Sequence, residues 1–376
     1  HIKVETKDPD LYPKFTSQYT DQTVAANSVI VVCGDKSKVV SNSDMWETST
    51  NYQTYQTQTT GFDGEGQITS AITYVTSENN PKVYWVTGHG EASESDLSTN
   101  FSDAVNKNNV EISDLALMTD DIPEDAEELV IMSPTTDFSE DEANKVITYL
   151  ENGGKLLMFT SYTGTDMPNL DSILENYGVK RSSGIVVETD SQHYYPQMPY
   201  YLLPNIQSDD ITTEVKSNYI LMPVAQAIQK LDSYRDTITI KSLLTTTEDA
   251  YIENDPENST WSKSADSETG AFDLGVSITE TVDDKETQII YFSSASMLSS
   301  QIDQAISGAN SKLAATALTS MCDVEQTVVI PSKSTSYTNL VFTQGAVNTW
   351  SIITIAGIPL VLVVIGVMIW MKRRKQ

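Results

Sequence analysis

Thr87-Gly88-His89-Gly90-Glu91 sets an imidazole, a carboxylate and two glycines within five consecutive residues of this 376-residue chain. The run follows the apolar segment Lys82–Val86 (KVYWV), and in open α/β sheets ligands sit at the carboxyl ends of strands. Gly88 and Gly90 would let backbone approach a ligand closely, while His89 and Glu91 would supply a donor and an acceptor. These four residues are the candidate ligand- or partner-binding positions. The same residue types also suit a structural loop, with glycines at positive φ and a histidine that bonds locally. The run is not a phosphate loop, since it lacks both the GKS/GKT ending and the dinucleotide fingerprint.

Other chemistry is thinly represented. The chain has three histidines, His1, His89 and His193, and neither cysteine has a histidine near it in sequence. Ser133 and Ser161 follow the apolar runs ELVIM and KLLMF, where a nucleophile can sit, but neither lies in a G-x-S-x-G elbow. Paired carboxylates such as Asp120-Asp121, Glu124-Asp125, Glu127-Glu128 and Asp209-Asp210 read as solvated surface on so acidic a chain. None has the spacing of a calcium loop. Cys33 and Cys322 offer neither zinc spacing nor a disulfide framework, and read as two separate buried thiols, with a single long-range bridge as the alternative. No catalytic residue, metal or cofactor is therefore expected.

The elements that would position these residues read as α/β. Residues 1–78 form a small first unit: short strands at 2–5 and 28–33, a turn or helical stretch at 8–19, a polar hairpin or loop at 41–63, and a helix carrying Ile68, Ala71, Ile72 and Val75 on one face. A βαβ-like layer is expected there. Residues 79–322 alternate strands and helices. Leu97, Phe101, Ala104 and Val105 share a helix face, and ELVIM (128–132) reads as a buried strand. Ser139 with Glu142 makes a capping box before the stripe Ala143, Val146, Ile147 and Leu150. Gly153-Gly154 stops that helix before the strand KLLMF (155–159). This order implies a doubly wound, mostly parallel sheet. Further strands are expected at 185–189, 237–244, 271–281 and 287–293, with a polar loop at 245–268 and a helix near 309–322.

Residues 323–350 read as an extended membrane-proximal linker. Ser351 to Met371 (SIITIAGIPLVLVVIGVMIWM) carries no charge, and a helix of that length spans about 31 Å, matching a hydrocarbon core of about 30 Å. Trp350 and Trp370 mark its ends, and Lys372, Arg373, Arg374 and Lys375 place the 372–376 tail in the cytoplasm. Pro359 predicts a kink, and Gly357, Pro359 and Gly366 suit close packing against neighbouring helices. Without the four basic tail residues, 19 basic face 52 acidic residues, a formal charge of −33 over 1–371. Such a body repels nucleic acid and anionic headgroups. Residues 1–346 are therefore expected outside the cytoplasm, which calls for a segment before His1, either cleaved or forming a first membrane helix.

Several of these segments together resemble one family. KVYWVTGHGE (82–91), DIPEDAEELVIMSPTTDFSEDEANKVITYLENGGKLLMF (121–159) and PNLDSILENYGV (168–179) are similar to the auxiliary components of ABC transporters related to the gliding-motility protein GldG. The opening VETKDPDLYPKFTSQY with NSVIVVCGDKSKVV, and the closing VVIPSKSTSYTNL with its membrane helix and basic tail, extend the likeness over nearly the whole chain. The resemblance implies a thioredoxin-like first unit and a body resembling the class I glutamine amidotransferases. It also implies a first membrane helix, an ABC permease and its cytoplasmic ATPase. Neither inherited fold brings its chemistry, because no CxxC and no Cys–His–Glu set is present. The chain has no Walker motif, so ATP hydrolysis belongs to a partner. The reading is a non-catalytic accessory subunit that binds or guides a substrate. Its rivals are a free-standing cell-surface binding protein for glycan or peptide, and a tethered hydrolase using His89 with a strand-end serine.

Overall fold

The computed structural model describes residues 2–8, 11–12, 14–20, 23–51, 56–77, 80–257, 260–322, 330, 332–334 and 342–374. Residues 2–5, expected as a strand, carry no regular structure. β1 (Val29–Cys33) and β2 (Lys36–Val40) pair antiparallel. The two-residue Gly34-Asp35 turn folds the strand straight back on itself, with Gly34 at φ +59. The unit expected as a βαβ-like layer thus holds an antiparallel hairpin here. β3 (Trp46–Asn51) and β4 (Gln56–Phe62) form the expected second hairpin. α1 (Gly64–Thr76) lays Ala71 against Val40 and Met45.

The body then runs β5 (Lys82–Val86), α2 (Thr99–Lys107), β6 (Glu111–Leu115), β7 (Glu128–Met132), α3 (Glu140–Glu151), β8 (Lys155–Phe159), α4 (Pro168–Asn176) and β9 (Val179–Val187). It continues through β10 (Tyr194–Tyr195), β11 (Met198–Leu202), β12 (Asn205–Ile206), β13 (Met222–Pro223), β14 (Gln226–Lys230), β15 (Ile238–Thr245) and β16 (Tyr251–Glu253). β17 (Asp273–Val282), β18 (Lys285–Phe292), α5 (Ser300–Ala305) and α6 (Ala309–Met321) complete it. The centre of the sheet is parallel, in the order β6-β5-β7-β8-β18. Beyond β18 an antiparallel wing follows, β17, β14, β9 and β16, with β15 and β12 alongside.

Alternation along the central strands divides two cores. Val83, Trp85, Val130, Met132, Leu157 and Phe159 face α2 and α6, while Leu129, Ile131, Leu156 and Met158 face α3 and α4. Helices on both faces are what a doubly wound sheet requires. The polar stretch 245–268, expected as a loop, contains β16, which pairs with β9.

After α6 the chain returns to the first unit, where β19 (Lys333–Ser334) pairs with Phe62 and Gly61 of β4. Most of the rest of 323–341, and Lys375 of the basic tail, lie outside the described residues. A single 31-residue helix then runs Gln344–Arg374, long and apolar enough to cross a membrane, with its apolar stretch unburied. It comprises α7 (Gln344–Ile352), a π turn Ile353–Gly357 and α8 (Ile358–Arg374). Residues 344–350, expected as extended linker, are helical because the Thr343 hydroxyl caps the helix, accepting from Ala346 N–H at 3.1 Å. The π turn lies just ahead of Pro359, whose ring and missing N–H disturb the preceding turn. Cys322 is buried, but Cys33 is exposed rather than buried, and no bridge joins them.

Candidate functional site

The β5 strand delivers Thr87 to Glu91 at the carboxyl edge of the parallel sheet, beside the end of β7. Trp85 pins the loop from below, donating its indole N–H to Ala92 O at 2.9 Å. Gly88 and Gly90 are exposed at positive φ (+125 and +76), and His89 between them is buried. Gly90 has a second constraint: a Cβ there would lie 2.1 Å from Thr135 Oγ1.

His89 is held from every side. Its carbonyl accepts from the N–H groups of Thr135 and Thr136 at 2.9 and 3.0 Å, and from both their hydroxyls at 3.2 and 3.1 Å. Its own N–H donates to Glu91 Oε2 at 2.7 Å. The ring stacks obliquely on Phe138, 4.4 Å between centroids. Nδ1 lies 3.4 Å from Glu91 Oε1 and Nε2 lies 3.2 Å from Glu142 Oε2, all three side chains being buried. Burial alone would raise the Glu142 carboxyl, but the Ser139 hydroxyl and N–H and the neighbouring imidazole hold it below the ordinary carboxylate range. The capping box expected at Ser139 and Glu142 is formed, so one carboxylate both caps α3 and faces His89. Glu142 was legible as a cap; its second role needed the tertiary structure.

This arrangement is a bracket tying the β5 loop to the first turn of α3, with Gly88 and Gly90 exposed and Thr87 and Glu91 half-buried. The strand-end serines stand apart from it. The Ser133 hydroxyl donates to Ser161 Oγ at 2.8 Å, and no hydrogen bond among the described residues joins either serine to His89. Ser133 does hold φ +53, a backbone conformation uncommon outside glycine.

A second constellation, invisible in the sequence, seats the membrane helix on the body. Gly345 N–H donates to Ser191 O at 2.7 Å, the Thr343 hydroxyl to Gln192 Oε1 at 3.0 Å, and Gln197 N–H to Gln344 Oε1 at 2.9 Å. Gly345 is buried, and a Cβ there would fall 1.4 Å from Gln192 Nε2. A Cβ at Gly357 or Gly366, by contrast, would meet almost nothing among the described residues, only Ile352 O at 3.9 Å for Gly357. Among the described residues no group of three His, Cys, Asp or Glu side chains could hold a metal ion.

With this geometry in place, comparison of the chain with known families gives one match. Residues 80–320 match the family described as ABC-type uncharacterized transport system, auxiliary component. The chain belongs to this family. The matched span of this auxiliary component runs from the residue before Pro81 to the last turn of α6, and so contains the His89 bracket and the whole central sheet. No curated protein matches the chain in sequence. Among solved structures it is similar to the mmIFT52 N-terminal domain, at 15% identity and TM-score 0.47, covering 64% of this chain and 96% of that domain. It is also similar to the exo-β-1,4-mannosidase Op5Man5 from Opitutaceae bacterium strain TAV5, at 10% identity and TM-score 0.33, covering 67% of this chain and 37% of that one. A ThuA-like protein from Parabacteroides merdae ATCC 43184 is similar at 12% identity and TM-score 0.35, covering 71% of this chain and 99% of that one.

Proposed function

We propose that this chain is a GldG-like, non-catalytic accessory subunit of an ABC transport system. Its two-unit acidic body, residues 1–346, stands outside the cytoplasm and binds or guides the substrate over the permease. The helix at 351–371 packs on that permease, and the basic tail lies on the side of the ATPase. The amidotransferase-like and thioredoxin-like descriptions of the two units rest on the family resemblance alone.

The observation that carries this reading is the seat of the membrane helix. A plain tether needs slack between body and span, whereas Thr343, Gln344 and Gly345 are hydrogen-bonded into the body six to eight residues before Ser351. Movement of a permease against the helix would thus be passed to the body. Gly357 and Gly366 leave the helix backbone open to a close neighbour, as helix–helix packing in membranes favours. Pro359 and its π turn offer such a neighbour a break in the ladder. In this reading Gly88 and Gly90 supply the contact surface for substrate or partner, and His89 and Glu91 hold that surface in position.

The test is a mild-detergent pull-down of the intact protein from its own membranes. An ABC permease and its ATPase subunit should copurify. One observation favours the free-standing binding protein instead: Tyr200 and Trp261 stack at 4.4 Å in an aromatic patch with Tyr162. Recovery of the protein alone, without any permease, would support that reading and contradict the first.

A further inference from the structure

The turn between β10 and β11 touches the first residue of the membrane helix, through Gln197 N–H and Gln344 Oε1. That contact fixes the height of the turn. Gln344 precedes Ser351 by seven residues, so it stands about 10 Å up the helix axis from the apolar stretch. The headgroup layer of each leaflet is roughly 5–7 Å thick. Side chains flanking the turn are therefore within one side-chain length of the headgroups. Those side chains are Tyr195 and Met198, 37% and 38% exposed. On the helix itself Val347 and Trp350, between the turn and the apolar stretch, are also exposed. An amphipathic ring beside an apolar thioether is the composition that settles at a membrane interface. With so acidic a body, attraction to anionic lipid is not the cause; ring burial is.

We propose that the β10–β11 hairpin, through Tyr195 and Met198, rests in the lipid headgroup layer beside the helix and so sets the tilt of the body over the bilayer. The inference rests on the membrane-anchored reading above. Continuity with the apolar helix argues for lipid as the occupant: the same helix that the turn touches enters the bilayer directly below it.

The experiment uses the full chain in phosphatidylcholine nanodiscs. In a Cys33→Ser background, where Cys322 is buried and shielded from label, Tyr195→Cys and Leu362→Cys each carry an environment-sensitive fluorophore. Nitroxide lipids then quench from the headgroup level or from deep in the acyl chains. A blue shift and loss of intensity at 195 with the headgroup nitroxide, together with deep quenching at 362, is the expected result. Deep quenching at 362 with an iodide-accessible, unquenched 195 overturns the hairpin contact and leaves the anchor standing. Absence of quenching at 362 overturns the anchored reading itself. Loss of lipid quenching at 195 when copurified transporter is reconstituted would assign the surface to protein and overturn the proposal.

Discussion

Replacing His89 with alanine tests whether the GHGE loop is held by the bracket described above. The imidazole lies 3.4 Å from Glu91 Oε1 and 3.2 Å from Glu142 Oε2, with its side chain only 6% exposed. Glu91 Oε1 and Glu142 Oε1 are buried and have no hydrogen-bond partner among the described residues. Without the ring, two buried carboxylates share one cavity and lose the group between them. Leaving a buried polar group without its neighbour costs about 1–3 kcal/mol. The lost contact with Phe138 adds about 1 kcal/mol, not strictly additively. For a body of this size, 1 kcal/mol lowers Tm by roughly 2–4 °C, so His89→Ala should lower it by about 10 °C. Circular-dichroism melting of the full chain in detergent reads this directly. Adding Glu142→Gln removes one carboxylate charge while keeping a side chain suited to the capping box, and should restore part of the loss. A His89→Ala protein that melts within about 2 °C of the parent would refute the bracket. Destabilisation untouched by Glu142→Gln would refute the carboxylate account of it.

Glu128 is buried at the start of β7, its carboxylate accepting among the described residues from Cys322 Sγ–H at 3.3 Å, and burial pushes its carboxyl well above the ordinary range. The folded state therefore holds a proton that the unfolded state releases. Stability falls by about 1.4 kcal/mol per pH unit as pH rises from about 4.5 toward the folded pKa. Glu128→Gln should flatten that slope in denaturation curves taken from about pH 5 to 7 and be the more stable protein at pH 7; parallel curves would contradict it. Gly345→Leu drives a side chain into Gln192 and should unseat the helix, seen as faster limited proteolysis between body and span with membrane insertion intact; unchanged proteolysis would count against the seat. Gly357→Leu and Gly366→Leu should each weaken copurification of the permease, and a poly-Leu span should abolish it while still inserting. Full copurification with poly-Leu would make the helix a plain tether.

The parallel centre was legible because its signals are local. ELVIM and KLLMF are continuous apolar runs, and Ser139 with Glu142 spells the start of α3 in four residues. The antiparallel wing was less so. β16 is three residues in a polar stretch and β12 only two, and β10 and β13 of the separate small sheet with β11 have two each, so no period can be read from them. The expectation of a βαβ-like layer in the first unit passed over Gly34-Asp35, a hairpin turn in plain view. At the candidate site the loop glycines and His89 were visible, but Glu142 lies fifty-three positions further on, and only the packing of α3 on the sheet brings it to the ring. Gly345 carried no signal at all, since its need for a bare Cα comes from Gln192 across the seat.

Site-specific photocrosslinking from within the membrane helix, in intact membranes, tests the central claim most directly. Crosslinkers at Val361 and Leu362, exposed residues one helical turn from Gly357 and Gly366 on the same faces, should each capture an ABC permease, identified by mass spectrometry of the adduct. Capture of lipid alone at both positions, in membranes where the transporter is present, would contradict the account.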